Sequence, residues 1–207
     1  MENIYFGDSI TEGSNSPCSF VNYIPGIPIE NKNLAVSGTT IGEYSIYPVD
    51  GNSLLSLYHR KDLCYFNRIF LEYGINDVSA IMCGFATMQE VIISFVKAID
   101  GIRQLNSFAD INFLTISDKD DIIEEYARRQ CEYLSNDYFK GYDFNFPVSK
   151  YAELYKTFIS AVNKRSDNVI SMIDDITFFD RYMSSDKVHP NEKGHEVIAK
   201  KIIQSMF

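Results

Sequence analysis

Five short apolar runs, each followed by a turn, place the strongest constraint on how this 207-residue chain can fold. They lie at residues 3–6, 34–36, 68–73, 111–116 and 169–173. Continuous runs of this length are typical of strands buried on both faces, as in a parallel sheet. Parallel neighbours need a crossover connection, which is usually a helix, so we expect helices between the runs.

Apolar periodicity supplies such helices. Apolar residues recur every three or four positions in 86–103, 148–164 and 192–206, which predicts three helices with one buried face. Asn191 is the expected cap of the last one. A further helix is predicted near 16–24. The alternation of the two element types predicts a three-layer α/β/α fold with a mainly parallel five-stranded sheet.

Two segments, 39–66 and 118–147, lack this regularity. The first has loop composition. The second begins with acidic residues that fit a helix and continues with aromatic residues that fit an irregular cover. A lid, a wall of an acyl pocket and an oligomer contact are all open interpretations of it. Because no linker or repeat divides the sequence, we expect one domain over residues 1–207 that carries both segments as insertions.

The charge of the chain bears on its partners. The formal net charge is −9, from 19 basic and 28 acidic side chains. Such a surface repels phosphate backbones and anionic lipid headgroups. No apolar run reaches the ~18 residues that a membrane-spanning helix needs. We therefore expect neither nucleic-acid binding nor stable membrane insertion, and the sequence leaves the oligomeric state open.

The four cysteines suggest no metal or redox motif. Cys18, Cys64, Cys83 and Cys131 form no CxxC pair and no disulfide framework, so we expect reduced thiols. The N-terminal residues carry acids and no basic region of a signal peptide, which favours a cytoplasmic protein. HExxH, clustered histidines and a Walker loop are also missing from the sequence. We predict chemistry that uses no cofactor and no metal.

The residues that follow the predicted strands are the candidates for chemistry, because functional groups gather at the carboxyl ends of parallel strands. Ser9 follows the first strand on a strand-to-helix turn and is a candidate nucleophile. His189, with an unperturbed pKa of about 6.5, suits a general base. Asp186 stands three residues earlier and can fix the imidazole tautomer. These residues predict a Ser9–His189–Asp186 triad.

Three groups are candidates for an oxyanion hole. They are the backbone N–H of Ser9, the backbone N–H of Gly38 and the side-chain amide of Asn76. Gly38 lacks a side chain, so a substrate oxygen can approach its N–H closely. Removing one such donor typically slows a reaction by ~10²–10³.

Other polar residues have simpler interpretations. Asp8 could suggest a phosphoryl-accepting aspartate, but that chemistry usually needs a second acid two residues later, where an isoleucine stands. Asp77 fits a turn or helix cap. His195 on the last helix fits a surface or packing role, and His59 has no acid at a useful spacing before it.

The candidate residues stand in blocks that resemble those of the SGNH (GDSL) hydrolase family. Residues 7–11 resemble its GDS block, residues 74–77 its GxND block and residues 186–190 its DxxHP block. Gly38 falls where the family has its second-block glycine. The resemblance spans residues 7–195. It implies a flavodoxin-like α/β/α fold, metal-free ester hydrolysis through an acyl-enzyme, and the oxyanion hole named above.

The resemblance leaves the substrate open, since the family includes carbohydrate acetylesterases, lipases, thioesterases and acyltransferases. A compact chain without a leader favours an esterase that removes small acyl groups from a sugar or another small-molecule or glycan ester. An acyltransferase with the same triad is the first alternative. A non-catalytic flavodoxin-like binding module is the second. The GxSxG signature of α/β-hydrolases is missing from the sequence.

Overall fold

The computed structural model describes residues 2–25, 31–44, 53–57, 60–138 and 146–206. Five strands form one sheet in the order β2-β1-β3-β4-β5, and every neighbouring pair is parallel. This order is that of flavodoxin-like doubly wound folds. The strands are β1 (Asn3–Gly7), β2 (Asn31–Asn33), β3 (Arg68–Glu72), β4 (Asp110–Thr115) and β5 (Asn168–Ser171).

Helices connect the strands and lie on both sides of the sheet. They are α1 (Ser9–Glu12), α2 (Leu54–Leu57), α3 (Ile75–Met82), α4 (Met88–Leu105), α5 (Asp120–Tyr133), α6 (Val148–Val162), α7 (Phe178–Arg181) and α8 (Glu192–Ser205). Two 3₁₀ turns, at Phe20–Tyr23 and Lys61–Tyr65, and a π-helical turn at Leu134–Tyr138 complete the described elements. None of the helices in the described ranges combines the length and apolar character that crossing a bilayer requires.

Two apolar clusters cover the opposite faces of the sheet. Successive strand residues alternate between them, so that Tyr5 and Phe70 belong to one cluster and Ile4 and Ile69 to the other. Helices α5 and α8 contribute to the first cluster and α4 to the second. Because both faces are buried, the strands carry continuous apolar runs, and the predicted three-layer fold is confirmed.

Four of the five predicted strands are confirmed to within two residues, and the second is wrong. It was expected at 34–36, but β2 spans Asn31–Asn33. This strand lies at the edge of the sheet and is polar, so it has no apolar run to reveal it. The predicted segment continues beside β1, since the N–H groups of Leu34 and Val36 donate to the carbonyls of Tyr5 and Gly7 at 2.8 and 3.0 Å.

The three helices predicted from periodicity are confirmed as α4, α6 and α8, and Asn191 caps α8 by accepting from Gly194 N at 3.0 Å. The helix expected near 16–24 is only the 3₁₀ turn at Phe20–Tyr23. Helix α3 was not predicted, because its first residues have the composition of a turn. The acidic half of 118–147 forms α5.

Several residues of the sequence analysis lie outside the described ranges. They are 45–52 and 58–59 in the first irregular segment, which include His59, and 139–145 in the second. The four cysteines are described, and all four are free thiols.

The turn between β3 and α3 depends on Gly74. Its φ of 113° lies in the left-handed region that disfavours residues with a side chain. A Cβ atom at this position would lie 2.3 Å from Cε1 of Phe158, a buried ring of α6. Asp77 closes the same turn, because its Oδ2 accepts the N–H of Gly74 at 3.0 Å.

We expect Gly74→Ala to lower the free energy of unfolding by about 2–4 kcal/mol, since the left-handed conformation and the overlap with Phe158 both oppose a side chain. Gly84→Ala is the matched control. Gly84 has a φ of 79° but nothing within 4 Å of the added Cβ, so only the conformational loss of about 1 kcal/mol applies. Urea unfolding measures both values. Equal losses in the two variants would contradict the predicted overlap with Phe158.

Candidate active site

Three polar side chains from distant parts of the chain meet beyond the carboxyl end of β1. Ser9 Oγ lies 2.8 Å from Nε2 of His189, although 180 positions separate the two residues. On the other side of the imidazole ring, Nδ1 lies 2.6 Å from Oδ2 of Asp186. The structure therefore places the predicted nucleophile, base and orienting carboxylate in one hydrogen-bonded row.

The turn between β1 and α1 sets the position of Ser9. The cap of α1 is Asp8 rather than Ser9, because Asp8 Oδ1 accepts the N–H of Ile10 at 3.0 Å. A Cβ atom at Gly7 would lie 2.6 Å from Oγ1 of Thr11, so glycine is required there. Ser9 is thus free of the capping role and presents its half-buried hydroxyl to His189.

The loop before α8 fixes Asp186 through one of its two oxygens. Oδ1 accepts from Ser184 Oγ at 2.6 Å and from the N–H groups of Val188 and His189 at 2.9 and 3.0 Å. Oδ2 is left to face the imidazole. Burial opposes the ionisation of Asp186, but the bonds from His189 and the loop outweigh it and hold the pKa well below its usual range. The carboxylate is therefore ionised.

Asn15 is a neighbour of this row that the sequence analysis missed. Its Nδ2 donates to Oδ2 of Asp186 at 2.7 Å, the same oxygen that faces His189. The backbone of Asn15 has a φ of 61°, which asparagine tolerates better than most residues. From the sequence, Asn15 indicates only a turn after α1. The contact joins residues 171 positions apart, and no local pattern reveals it.

A small cavity of about 110 Å³ opens in front of Ser9. The predicted oxyanion residues Gly38 and Asn76 line it together with His189. The structure thus brings all five predicted site residues to one place. The remaining walls are Ser37, Ile75, Gln130, Tyr133 and Val188.

The amide of Asn76 is held by two acceptors in this structure. Its Nδ2 lies 3.0 Å from the carbonyl oxygen of Thr39 and 3.2 Å from Oδ2 of Asp8. The nitrogen therefore has to face these acceptors, which fixes the orientation of the amide. An anionic oxygen in the cavity would be a third acceptor, and charge-assisted bonds are roughly twice as strong as neutral ones. The arrangement can donate to an oxyanion by sharing or exchanging the bond to Thr39.

A larger cavity of about 530 Å³ is lined by Asp186 and its neighbour Asn15. Both cations and anions line it, among them Arg129, Glu132 and Lys187. Tyr133 lines both cavities, and its ring is perpendicular to the ring of His189 at 6.3 Å between centroids. The C-terminal turn of α5 is therefore a wall of the site, which is one of the three interpretations left open for 118–147.

Asp77 has the structural role predicted for it. Its Oδ1 accepts the N–H of Ile41 at 2.9 Å and the hydroxyl of Tyr44 at 3.2 Å, and its Oδ2 closes the Gly74 turn. Burial raises the pKa of Asp77 to about 7. The residue thus ties the loop after Gly38 to the start of α3.

His195 packs in the core, as predicted, and takes no part in the row. It is fully buried, and its ring lies 6.3 Å from the ring of Phe20 between centroids. Neither ring nitrogen has a hydrogen-bond partner among the described residues. Burial, with a smaller contribution from His189, lowers the pKa of His195 to about 4. Nowhere in the described ranges do three or more His, Cys, Asp or Glu residues form a group suited to a metal ion.

The chain matches a known protein family over most of its length. The model of the GDSL-like lipase/acylhydrolase family matches residues 5–197. No match was found among curated protein sequences.

Solved structures share the fold at low sequence identity. A carbohydrate acetylesterase family member from Sinorhizobium meliloti is 13% identical, with a TM-score of 0.60, and the match covers 100% of this chain and 97% of that one. A family two carbohydrate esterase from Clostridium thermocellum, in complex with cellohexaose, is 15% identical with a TM-score of 0.58. That match covers 99% of this chain but only 63% of the esterase. At these identities the likeness shows the fold.

We expect the stability of the protein to fall between pH 6.5 and about 4 because of His195. Its pKa is lower in the folded than in the unfolded chain, so the unfolded chain binds the extra proton in this window and stability is lost as pH falls. The slope approaches about 1.4 kcal/mol per pH unit. Chemical unfolding of the parent and His195→Leu across this range measures it. The variant should lack this component; parallel curves would contradict the prediction.

Proposed function

Because the chain belongs to the GDSL-like lipase/acylhydrolase family and is a serine ester hydrolase, we propose that Ser9 is its nucleophile and that it removes small acyl groups from a carbohydrate or similar alcohol. The observation that carries the proposal is the hydrogen-bonded row of Ser9, His189 and Asp186 at the edge of a small cavity. An acetyl group is the expected acyl group, because the cavity is small.

Acylation begins with proton transfer along the row. Asp186 accepts the Nδ1–H of His189, which leaves Nε2 as the acceptor for the hydroxyl proton of Ser9. Ser9 Oγ attacks the acyl carbon, and the carbonyl oxygen becomes an oxyanion. The amides of Ser9 and Gly38 and the side chain of Asn76 stabilise this charge in the cavity.

The leaving group and the water then use the same base in turn. His189 gives its proton to the oxygen of the departing alcohol, and the acyl group stays on Ser9 as an ester. A water molecule takes the place of the alcohol and loses its proton to Nε2 of His189. The hydroxide attacks the acyl carbon, the bond between this carbon and Ser9 Oγ breaks, and the proton on Nε2 of His189 passes to Oγ, which releases the carboxylic acid and restores the Ser9 hydroxyl.

The sizes of the two cavities support a small acyl group and a larger polar alcohol. The cavity at Ser9, about 110 Å³, is well below the ~300–1,000 Å³ typical of sites for drug-sized ligands. It has room for an acetyl group but not for a long chain. The cavity beside Asp186, about 530 Å³, lies within that range, and its mixed charges suit a polyhydroxylated molecule. The two carbohydrate esterases with the same fold favour a sugar as this alcohol.

Acyl transfer to a sugar hydroxyl is the second candidate. The cavity beside Asp186 favours it, because Tyr133 lines both this cavity and the one at Ser9, so a polar acceptor bound there could reach the acyl group in place of water. Competition between water and added sugar acceptors separates the two reactions. The amount of acylated sugar formed per ester consumed is the quantity to measure.

We expect Ser9→Ala to reduce hydrolysis of p-nitrophenyl acetate at least ~10³-fold, because the acyl-enzyme can no longer form. Ser14→Ala is the matched control. Ser14 lies in the same segment, and its hydroxyl bonds only the side chain of Glu12 among the described contacts. Its activity should equal that of the parent. Circular dichroism shows that each variant is folded.

Equal activity in the parent and a folded Ser9→Ala protein would overturn the nucleophile assignment. A loss in both serine variants would instead assign the effect to the turn as a whole. An inactive parent would indicate either that the enzyme requires a specialised acyl donor in place of p-nitrophenyl acetate or that the chain is a non-catalytic binding module.

We expect kcat/KM to fall along the p-nitrophenyl acetate, butyrate and octanoate series. The octanoate should be poorer than the acetate by at least ~10-fold, since a chain too long for the cavity displaces the ester from Ser9. Initial rates below KM measure the ratio. A kcat/KM that rises with chain length would show that the cavity opens for lipid-like acyl groups and would contradict the small-acyl proposal.

A further inference from the structure

Beneath the Ser9 turn lies a buried carboxyl group that the mechanism above does not use. Glu72, the last residue of β3, is 1% exposed. Its Oε2 accepts the N–H of Asp8 at 3.3 Å and the hydroxyl of Thr11 at 3.2 Å. Its backbone oxygen would lie 2.9 Å from a Cβ atom at Gly7. Three residues of the Ser9 segment are thus fitted to Glu72.

Asp8 extends this contact to the cavity. It is also 1% exposed, and its two oxygens have separate tasks. Oδ1 caps α1 through the N–H of Ile10, and Oδ2 accepts the amide of Asn76 at 3.2 Å. The position of Asp8 therefore determines both the first turn of α1 and the orientation of the predicted oxyanion donor.

The Asp8 and Glu72 carboxyl groups are neighbours in the core: Glu72 Oε2 accepts the backbone N–H of Asp8, and each carboxyl group affects the pKa of the other. Two carboxylates in contact and out of water repel each other strongly, and such a pair keeps one proton. Burial, reinforced by the charge of Asp8, raises the pKa of Glu72 well above its ordinary value. For Asp8, burial also raises the pKa, but the bonds from Glu72 and from Ile10 N oppose it. The proton therefore belongs to Glu72.

We propose that Glu72 is a positioning residue of the active site: its protonated carboxyl group donates to Asp8, which in turn holds the Ser9 turn and the amide of Asn76. The claim that Glu72 positions the catalytic groups rests on the proposed esterase function. The claim that Glu72 is protonated does not.

The proton also has an electrostatic consequence. With it, the pair carries one negative charge instead of two beside the cavity in which the oxyanion forms. A second charge there would repel the oxyanion and weaken the donors that face it. The neutral form of Glu72 therefore favours the transition state as well as the fold.

Glu72→Gln tests the proposal most directly, because glutamine is a permanent neutral mimic of the protonated acid. Its amide can donate to Asp8, and its oxygen can accept from Asp8 N and Thr11. We expect kcat for p-nitrophenyl acetate to stay within about threefold of the parent. Glu72→Met, which removes both functions, should lower kcat by about 10–100-fold with little change in KM.

The matched control is Asn112→Leu. This residue is a buried polar residue on the neighbouring strand β4, and its side chain bonds Asn168 and the Asp110 carbonyl, not the residues of the Ser9 turn. Its kcat should equal that of the parent. A kcat close to that of the parent in Glu72→Gln, together with a reduced kcat in Glu72→Met, supports positioning by a neutral donor. Equal losses in both variants, or full kcat in a folded Glu72→Met protein, would overturn it.

Infrared difference spectroscopy detects the protonation of Glu72 independently of enzyme activity. At pH 7 the parent-minus-variant spectrum should show the C=O stretch of one buried carboxylic acid, because Glu72→Gln removes this band whereas the contribution of Asp77, whose pKa is about 7, is common to both proteins and cancels. This measurement decides the protonation even if Glu72→Met does not fold. The absence of the band from the difference spectrum would overturn the assignment of the proton to Glu72. An inactive parent that shows the band would count against the esterase proposal and not against the protonated pair.

Discussion

The parallel pairing of β1 with β3 is the interaction on which the site depends. Its register places Gly7 beside Glu72 at the end of both strands. Ser9 follows Gly7 by two residues and Asn76 follows Glu72 by four, so the same pairing brings both to one cavity. A shift of one residue would turn every side chain of a strand to the opposite face, and the two buried clusters forbid it.

The base reaches the site by a second, largely independent route. Three donors from its own loop hold Asp186 Oδ1, so this loop fixes the orientation of the carboxylate without a contribution from the sheet. The two parts meet where His189 faces Ser9 and where Asn15 donates to Asp186. Asn15 follows α1, so the segment that carries the hydroxyl also restrains the carboxylate.

The sequence predicted the features that local physics controls. Buried central strands need apolar residues, and long helices need an apolar stripe, so four strands and three helices were found. The edge strand β2 is polar and left no such signal. The rule that side chains gather at strand ends selected Ser9, Gly38 and Asn76. Glu72 could not be predicted, because its contact with Asp8 joins residues 64 positions apart and no local pattern indicates it.

The buried acids explain why this end of the sheet differs from the rest of the core. Asp8, Glu72 and Asp77 are almost fully buried and lie within 70 residues of sequence. Removing a carboxyl group from water destabilises a fold unless a proton or several donors compensate. Asp77 has three donors, whereas Asp8 and Glu72 have two donors each and, in our proposal, one proton between them. An apolar side chain in place of Asp8 could neither cap α1 nor orient the Asn76 amide. The buried carboxyl groups therefore fit a requirement for fixed geometry at the cavity.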